Sequence, residues 1–387
     1  MSAEPALGHS HPAGHSDPAG LADPADLADL TRQILARHRP GTVPADGLWA
    51  ALEAAGVLVA SLPASAGGAG LGLSGHAAVL TELGRAVAVT PYRDAVAVAA
   101  QVVASQMVAS QMVAGQMVAG PGPAGMLSSR LATAWREPDA ADPADPSTTA
   151  APDGDGWRLT GRKTLVTEGL AAEVLLVTAT GPAGPLVLAV PADAAGLDRQ
   201  LQRPTDTVLG AATAWVALDA VAAGPDQVIG GVAVLTELLT RHALATCAEQ
   251  AGVLAGAVDL TAEHVRQRHQ FGRALGSFQA VSQRLADALI DVRALELALR
   301  QALRTAEAAG SLTDPQVQDT VDTAVYWAAQ AGHRVAHTCV HLHGGTGIDL
   351  DHPAHRHFAA AKRLEFELGG ATAPLRSLGT RLLKFPS

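Results

Sequence analysis

The chain has 387 residues, 48% of them apolar, and carries 27 Lys and Arg against 37 Asp and Glu for a formal net charge of −10. That length implies two or three domains with ample core, and the acidic balance gives a nucleic-acid or anionic-membrane partner no bulk electrostatic support. Aromatic residues are only 3% of the chain, two cysteines are too few for a disulfide framework, and no apolar run is long enough to cross a bilayer.

In chain order, residues 1–24 mix Ala, Pro, Asp and His without a basic start or apolar centre. They read as a disordered tail rather than a signal peptide, and His9, His11 and His15 within it have no flanking structure to build a metal site, so none is expected. Residues 25–126 read as an N-terminal helical domain. Apolar positions three and four apart mark helices over 48–56 and 77–88, the latter ended by Pro91, and a glycine-rich turn occupies 66–72. A five-residue repeat over 101–120 matches neither the helical nor the strand period and reads as a local expansion within a helix or its end. Residues 127–228 carry short β-branched runs and a hairpin signal, Asp153-Gly-Asp-Gly156, predicting a small antiparallel β domain. Residues 229–387 show long helical patterns over 232–269, 277–309, 314–343 and 351–384, predicting an antiparallel four-helix bundle. Cys247 and Cys339 fall in apolar helical patterns and read as small buried hydrophobes of a soluble, cytoplasmic protein.

Two segments carry chemistry. In Arg268-His-Gln-Phe-Gly-Arg-Ala-Leu-Gly-Ser-Phe-Gln279, guanidinium groups, a flat Phe271 and the amide of Gln279 surround two glycines where one helical pattern meets the next. Guanidinium forks suit pyrophosphate oxygens, the ring suits an adenine, and the amide suits polar ring edges. On spacing alone, a helix–turn–helix corner with solvated cations is the favoured reading of the segment. About seventy residues downstream lies His341-Leu-His-Gly-Gly-Thr-Gly347, a glycine turn.

The pattern Arg-x-x-Phe-Gly-Arg-x-x-Gly-Ser-Phe-Gln-Ala-Val closely resembles the acyl-CoA dehydrogenase family, and His-Gly-Gly-Thr-Gly resembles that family's second FAD segment. Gly67-Gly-Ala-Gly, Gly156-Trp-Arg-Leu-Thr-Gly-Arg-Lys and the bundle extend the likeness over nearly the whole chain. The resemblance implies an α+β fold of N-terminal helical domain, central antiparallel β domain and C-terminal four-helix bundle. It implies FAD as cofactor, an acyl-CoA thioester as substrate, a role in lipid metabolism, an electron-transfer flavoprotein as redox partner, and a homo- or hetero-oligomer. Arg268, Phe271 and Gln279 match positions that bind the adenine and pyrophosphate half of a neighbouring subunit's FAD. His341, where the family usually has Gln, together with Gly344 and Gly345, matches the segment approaching the same cofactor across the dimer. Thr167 matches a β-domain residue facing the flavin.

In that family a carboxylate shielded from water removes the α-proton of the thioester while hydride leaves the β-carbon. The two positions that supply the base align with Leu368 and His242, and neither is a carboxylate. Glu367, one residue away, is the first candidate substitute and His242 the second; Glu249 reads equally well as a surface charge, and Asp349 and Asp351 read as caps of the last helix. Arg136 stands where the family has a flavin-facing Thr, Leu165 where it has a Trp, and Ala243 where it has an Arg. Residues serving a neighbour's FAD are kept while those serving the chain's own flavin are altered. The segment Gly-Thr-Gly-Ile-Asp…Asp-x-Pro-x-His-Arg further resembles actinobacterial-type members associated with mixed assemblies acting on bulky, steroid-like acyl-CoA. The expectation is therefore an acyl-CoA dehydrogenase acting as one subunit of an oligomer. The alternatives are a silent subunit completing its partner's FAD site, and a flavin oxidase or monooxygenase on the same fold.

Overall fold

A computed structural model describes residues 23–38, 45–114, 127, 129–140, 142–205 and 210–384. The expected N-terminal tail with its three histidines, and residues 115–120 of the five-residue repeat, lie outside the described residues. The rest of the repeat is helical.

The N-terminal region consists of α1 (Pro24–Arg37), α2 (Ala45–Ala54), α3 (Val57–Ala60), α4 (Gly72–Arg85), a π-helical segment (Tyr92–Ala100) and α5 (Gln101–Ala114). Asp23 starts α1 by accepting hydrogen bonds from Ala25 N (2.7 Å) and Asp26 N (3.0 Å), satisfying donors that a helix leaves unpaired. The π-helical segment is buried nearly throughout, and that burial includes Arg93 and Asp94.

Eight strands form the central sheet in the order β6-β7-β3-β2-β4-β5-β8, with β1 on β4. They are β1 (Leu131–Ala134), β2 (Thr149–Asp153), β3 (Gly156–Thr167), β4 (Val174–Gly181), β5 (Gly184–Pro191), β6 (Leu197–Arg203), β7 (Thr213–Ala223) and β8 (Val228–Gly230). The Asp153–Gly156 hairpin forms where expected, Asp153 pairing with Gly156 across two turn residues. The sheet is mixed rather than purely antiparallel, because β2 meets β4 in parallel at Thr149↔Thr180 and β1 runs parallel to β4, from Leu131↔Val174 to Ala134↔Val177. No tight hairpin ties these two strands, so nothing forces them antiparallel. β1 is buried along its whole length, which suits a strand covered on both faces.

The C-terminal region comprises α6 (Val232–Gln267), a short hairpin of β9 (His269–Gln270) and β10 (Arg273–Ala274), α7 (Gln279–Ala309), α8 (Pro315–His343), α9 (Pro353–Glu367) and α10 (Thr372–Lys384). Helices α6 to α9 build the expected bundle. The pattern read as one helix over 351–384 is two. Gly370 N donates to Glu365 O and Gly369 N to Phe366 O, with φ of +70° and +77° at the two glycines. This left-handed termination ends α9 at Glu367. Asp351 does not cap α9: His352 does, its Nδ1 accepting from Ala354 N at 3.2 Å, while Asp349 accepts from Asp351 N in the preceding turn.

Glycines bring the N-terminal helices onto the bundle. A Cβ at Gly252 of α6 would lie 2.0 Å from Thr81 O, and one at Gly84 of α4 would lie 2.2 Å from Glu249 O. Only bare backbone permits that crossing, which seats the π-helical segment against α6. Cys247 and Cys339 are free thiols, both buried as expected. Burial pushes both up from the usual thiol range, Cys339 to about 11, so each stays protonated and inert in the core.

Candidate active site

The predicted site residues form two groups. The first is solvent-facing. Arg268 is the C-cap of α6, Phe271 sits on the β9–β10 hairpin and is 91% exposed, and Gln279 opens α7. His341 is exposed in the last turn of α8, followed by Gly344 and Gly345 in a 3-10 turn. Gly344 has φ +62°, which favours glycine, and a Cβ on either glycine would meet nothing within 4 Å. The two motifs adjoin: His264, one turn before Arg268, stacks on His343 with ring centroids 4.4 Å apart. Arg273 is held over the Phe278 ring at 4.0 Å, leaving Arg268 and Phe271 as the outward elements. Cations, an exposed ring and open backbone fit the anionic, flat half of a dinucleotide, presented outward rather than into this chain's own interior.

The second group lines a cleft of about 470 Å³ where the N-terminal helices, the sheet and the bundle meet. Thr167 and Glu367 line it directly, alongside Arg93, Asp94, Arg136, Glu249 and Arg363. His242 does not; it lines a small annex behind Arg136, with Trp135 edge-on to its ring at 4.9 Å.

The cleft floor is an ionic cluster. Arg93 lies 2.8 Å from Glu249, 2.8 Å from Glu367 and 3.3 Å from Asp94. Arg363 lies 2.9 Å from Glu249 and 3.1 Å from Glu367. Arg136 Nη2 lies 3.2 Å from His242 Nε2 and donates to Glu367 O at 3.3 Å. Three guanidinium groups thus balance three carboxylates with His242 neutral, the condition under which buried charge is tolerated. Burial would raise the Glu367 carboxyl, but Arg93, Arg363 and Arg136 overcome it and hold the group at about 2. Burial likewise opposes ionisation of Asp94, yet Arg93, His242 and the Thr167 hydroxyl push its pKa below the usual carboxylate range. Burial lowers His242, and Arg136 adds to this against the raising effect of Asp94. The guanidinium facing Nε2 makes that nitrogen the acceptor, so the ring proton sits on Nδ1, 3.4 Å from Asp94 Oδ1.

Glu249, read as equally consistent with a surface charge, is a member of this cluster. Arg93, Asp94 and Arg363 were not singled out from sequence. The available signal was a charged pair, Arg93-Asp94, inside a mostly apolar run reaching Ala104, since charges there are buried only when paired. The backbone beside the cleft is strained: Leu165 has φ +52° at a register shift between Lys163 and Val166, an uncommon conformation for a branched residue. Gln202 Oε1 accepts from Leu165 N at 2.7 Å and holds the bulge. Beneath it, Lys163 Nζ, fully buried, donates to Glu137 Oε1 at 2.5 Å and to Thr178 Oγ1 at 3.0 Å. No group of His, Cys, Asp and Glu able to hold a metal ion occurs among the described residues, and no described helix is long and apolar enough to cross a membrane.

Helices, a central sheet and a bundle converging on one cleft match the architecture that the sequence resemblance implies. Comparison with known proteins agrees. The family description "Acyl-CoA dehydrogenase, N-terminal domain" matches residues 27–112, and "Acyl-CoA dehydrogenase, C-terminal domain" matches residues 230–383. Acyl-CoA dehydrogenase FadE27 of Mycobacterium tuberculosis is 40% identical over 343 residues, covering 88% of this chain and 89% of the relative. Among solved structures, the ChsE4-ChsE5 complex from Mycobacterium tuberculosis matches with a TM-score of 0.81 and 37% identity, covering 94% of this chain and 98% of the other. A variant of the Tcur3481-Tcur3483 steroid acyl-CoA dehydrogenase matches with a TM-score of 0.82 and 38% identity, covering 93% and 98%. The chain belongs to the acyl-CoA dehydrogenase family, whose members bind FAD.

Proposed function

We propose that this chain is one subunit of a mixed, FAD-dependent acyl-CoA dehydrogenase, in which its outward Arg268–Gln279 and His341–Gly345 segments complete the FAD site of a partner chain. The carrying observation is the contrast between the two groups of residues. The solvent-facing set is open and cationic, while the chain's own cleft is filled at its floor by paired charges. Arg136 occupies the position of the family's flavin-facing Thr, and its guanidinium, tied to His242 and the Glu367 carbonyl, offers donors only where a Thr hydroxyl could also accept. FAD, when bound, supplies the hydride acceptor. This chain's residues supply cations for its pyrophosphate, a ring face for its adenine and an amide for its polar edges. The likeness to the ChsE4-ChsE5 complex and to the Tcur3481-Tcur3483 steroid acyl-CoA dehydrogenase supports a partner of similar fold and a bulky, ring-bearing acyl-CoA. Reoxidation by an electron-transfer flavoprotein completes the proposal.

Glu367 lining the cleft favours a second reading, in which the chain oxidises acyl-CoA in its own site with Glu367 as base. A carboxyl held at about 2 is a feeble base at neutral pH, so its partners must be displaced when substrate binds. His242, behind Arg136, has less direct access. The visible spectrum separates the readings. The first expects no flavin on the chain purified alone and flavin that bleaches with acyl-CoA after co-expression with its partner. Flavin on the chain alone, bleached by acyl-CoA and no longer bleached in Glu367→Gln, establishes the second instead.

A further inference from the structure

We propose, on the reading that the two outward segments serve a partner's FAD, that His264, His343 and His352 form a pH-sensitive latch. Neutral, the three rings hold both segments in place; protonated, they release them. The rings come from three elements: the last turn of α6, the last residue of α8 and the N-cap of α9. His343 packs against both others, its centroid 4.4 Å from that of His264 and 5.1 Å from that of His352, while the outer two lie 6.5 Å apart. Arg268 N donates to His264 O at 2.8 Å, and Gly344 follows His343 directly. The cluster therefore sits at the root of both segments.

Hydrogen bonding dictates where an added proton must go. His343 Nδ1 faces Cys339 O at 2.8 Å and, since a carbonyl only accepts, carries the ring proton. Its Nε2 is buried with no hydrogen-bond partner among the described residues, so a proton there creates a buried, unpaired cation against two further imidazoles. His352 Nδ1 accepts from Ala354 N at 3.2 Å, and protonating it removes the cap of α9. The surroundings offer little compensation. Arg268 acts on His264, and His357 of α9 acts on His343. Cys339 on α8 stays a neutral thiol, Glu263 on α6 is paired with Arg266, and Asp349 and Asp351 of the turn before α9 are exposed. Burial, with Arg268 and the neighbouring imidazoles, holds His264 and His343 below the ordinary 6.5. The contribution of the neutral stack is thus complete above that value and is lost as pH falls beneath it.

The test is hydrogen–deuterium exchange of the purified full-length oligomer at about pH 7.5 and about pH 5.5, which bracket the imidazole range. Rates are corrected for the intrinsic pH dependence of exchange, and flavin absorbance is read after desalting at each pH. Amides of residues 264–279 and 341–354 should exchange about tenfold faster at the lower pH, the effect of one pKa unit, and flavin should be lost in parallel. His264→Phe keeps a ring in the stack without a titrating nitrogen and should abolish most of both responses. Should that variant not fold, His352→Asn, which keeps a cap acceptor, should blunt them in the same way. Corrected exchange that is equal at the two pH values, or an acid response undiminished in a folded variant, overturns the inference. Segments that loosen with acid while flavin stays bound uphold the latch and sink the reading that these segments serve FAD.

Discussion

Arg93 and Glu367 meet across the cleft at 2.8 Å, joining the π-helical segment of the N-terminal region to the last turn of the bundle helix α9. The ion pair exists because two backbone devices converge on it. The α4–α6 glycine crossing seats the π-helical segment, and the Gly369-Gly370 termination stops α9 at Glu367. The cluster around the pair makes the cleft floor acid-sensitive. The ordinary Glu pKa of 4.5 falls to about 2 for Glu367, so the unfolded chain takes up its proton at higher pH than the folded one. The contribution to stability is therefore complete above pH 4.5 and is lost as pH falls towards 2, and Asp94, also lowered, acts in the same direction. Urea midpoints measured at about pH 6, 4.5 and 3 should change little between the first two and fall clearly by the third, with a shallower fall in Glu367→Gln. A flat profile contradicts the cluster.

The Glu137–Lys163 pair should be a strong determinant of stability. Glu137 also accepts from Ser147 N, Ser147 Oγ and Thr148 N, so burial, which alone would raise it, is outweighed and its pKa lies at about 2. Burial lowers Lys163 to about 8 despite its partner. Lys163→Met leaves a buried carboxylate without its cation, a change that costs about 3–5 kcal/mol. Denaturant unfolding of the β-domain signal should show that loss; a change below about 1 kcal/mol, the scale of an exposed pair, contradicts it.

Two glycines should respond in opposite directions to alanine. Gly252→Ala places a Cβ against the Thr81 carbonyl at 2.0 Å and must push α4 from α6, costing about 1–3 kcal/mol. Gly47, inside α2, has nothing within 4 Å of its Cβ position, so Gly47→Ala should stabilise by about 0.5–1 kcal/mol through helix propensity. Thermal melts of the two variants check the pair, and a neutral Gly252→Ala rules out the tight crossing.

The fold was legible in the sequence because its signals are local and repeated: helical periodicity, a Gly-Asp hairpin, and glycine motifs at helix ends. Arg268, Phe271 and Gln279 stand close together in one short segment, and their exposure follows from a hairpin between two helices. The cleft was far less legible. Its charges come from the π-helical segment, β-strand ends, α6 and α9, and only packing reveals that Glu249 joins Arg93 and Arg363 rather than solvent. In the sequence, Glu367 stands out only as a neighbour of Leu368. The parallel pairing of β1 and the split of 351–384 into two helices escaped for different reasons. Strand polarity here depends on a distant connection, and two adjacent glycines outweighed an otherwise continuous helical pattern.

The most direct test of the central claim is Arg268→Ala in the purified oligomer, with flavin absorbance read alongside sedimentation. Arg268 is exposed at a helix end, so the subunits should remain folded and assembled. Loss of one charge-assisted contact should weaken FAD by about 10- to 100-fold. An assembled complex depleted of flavin is the predicted result; an assembled complex retaining full flavin absorbance would contradict the account.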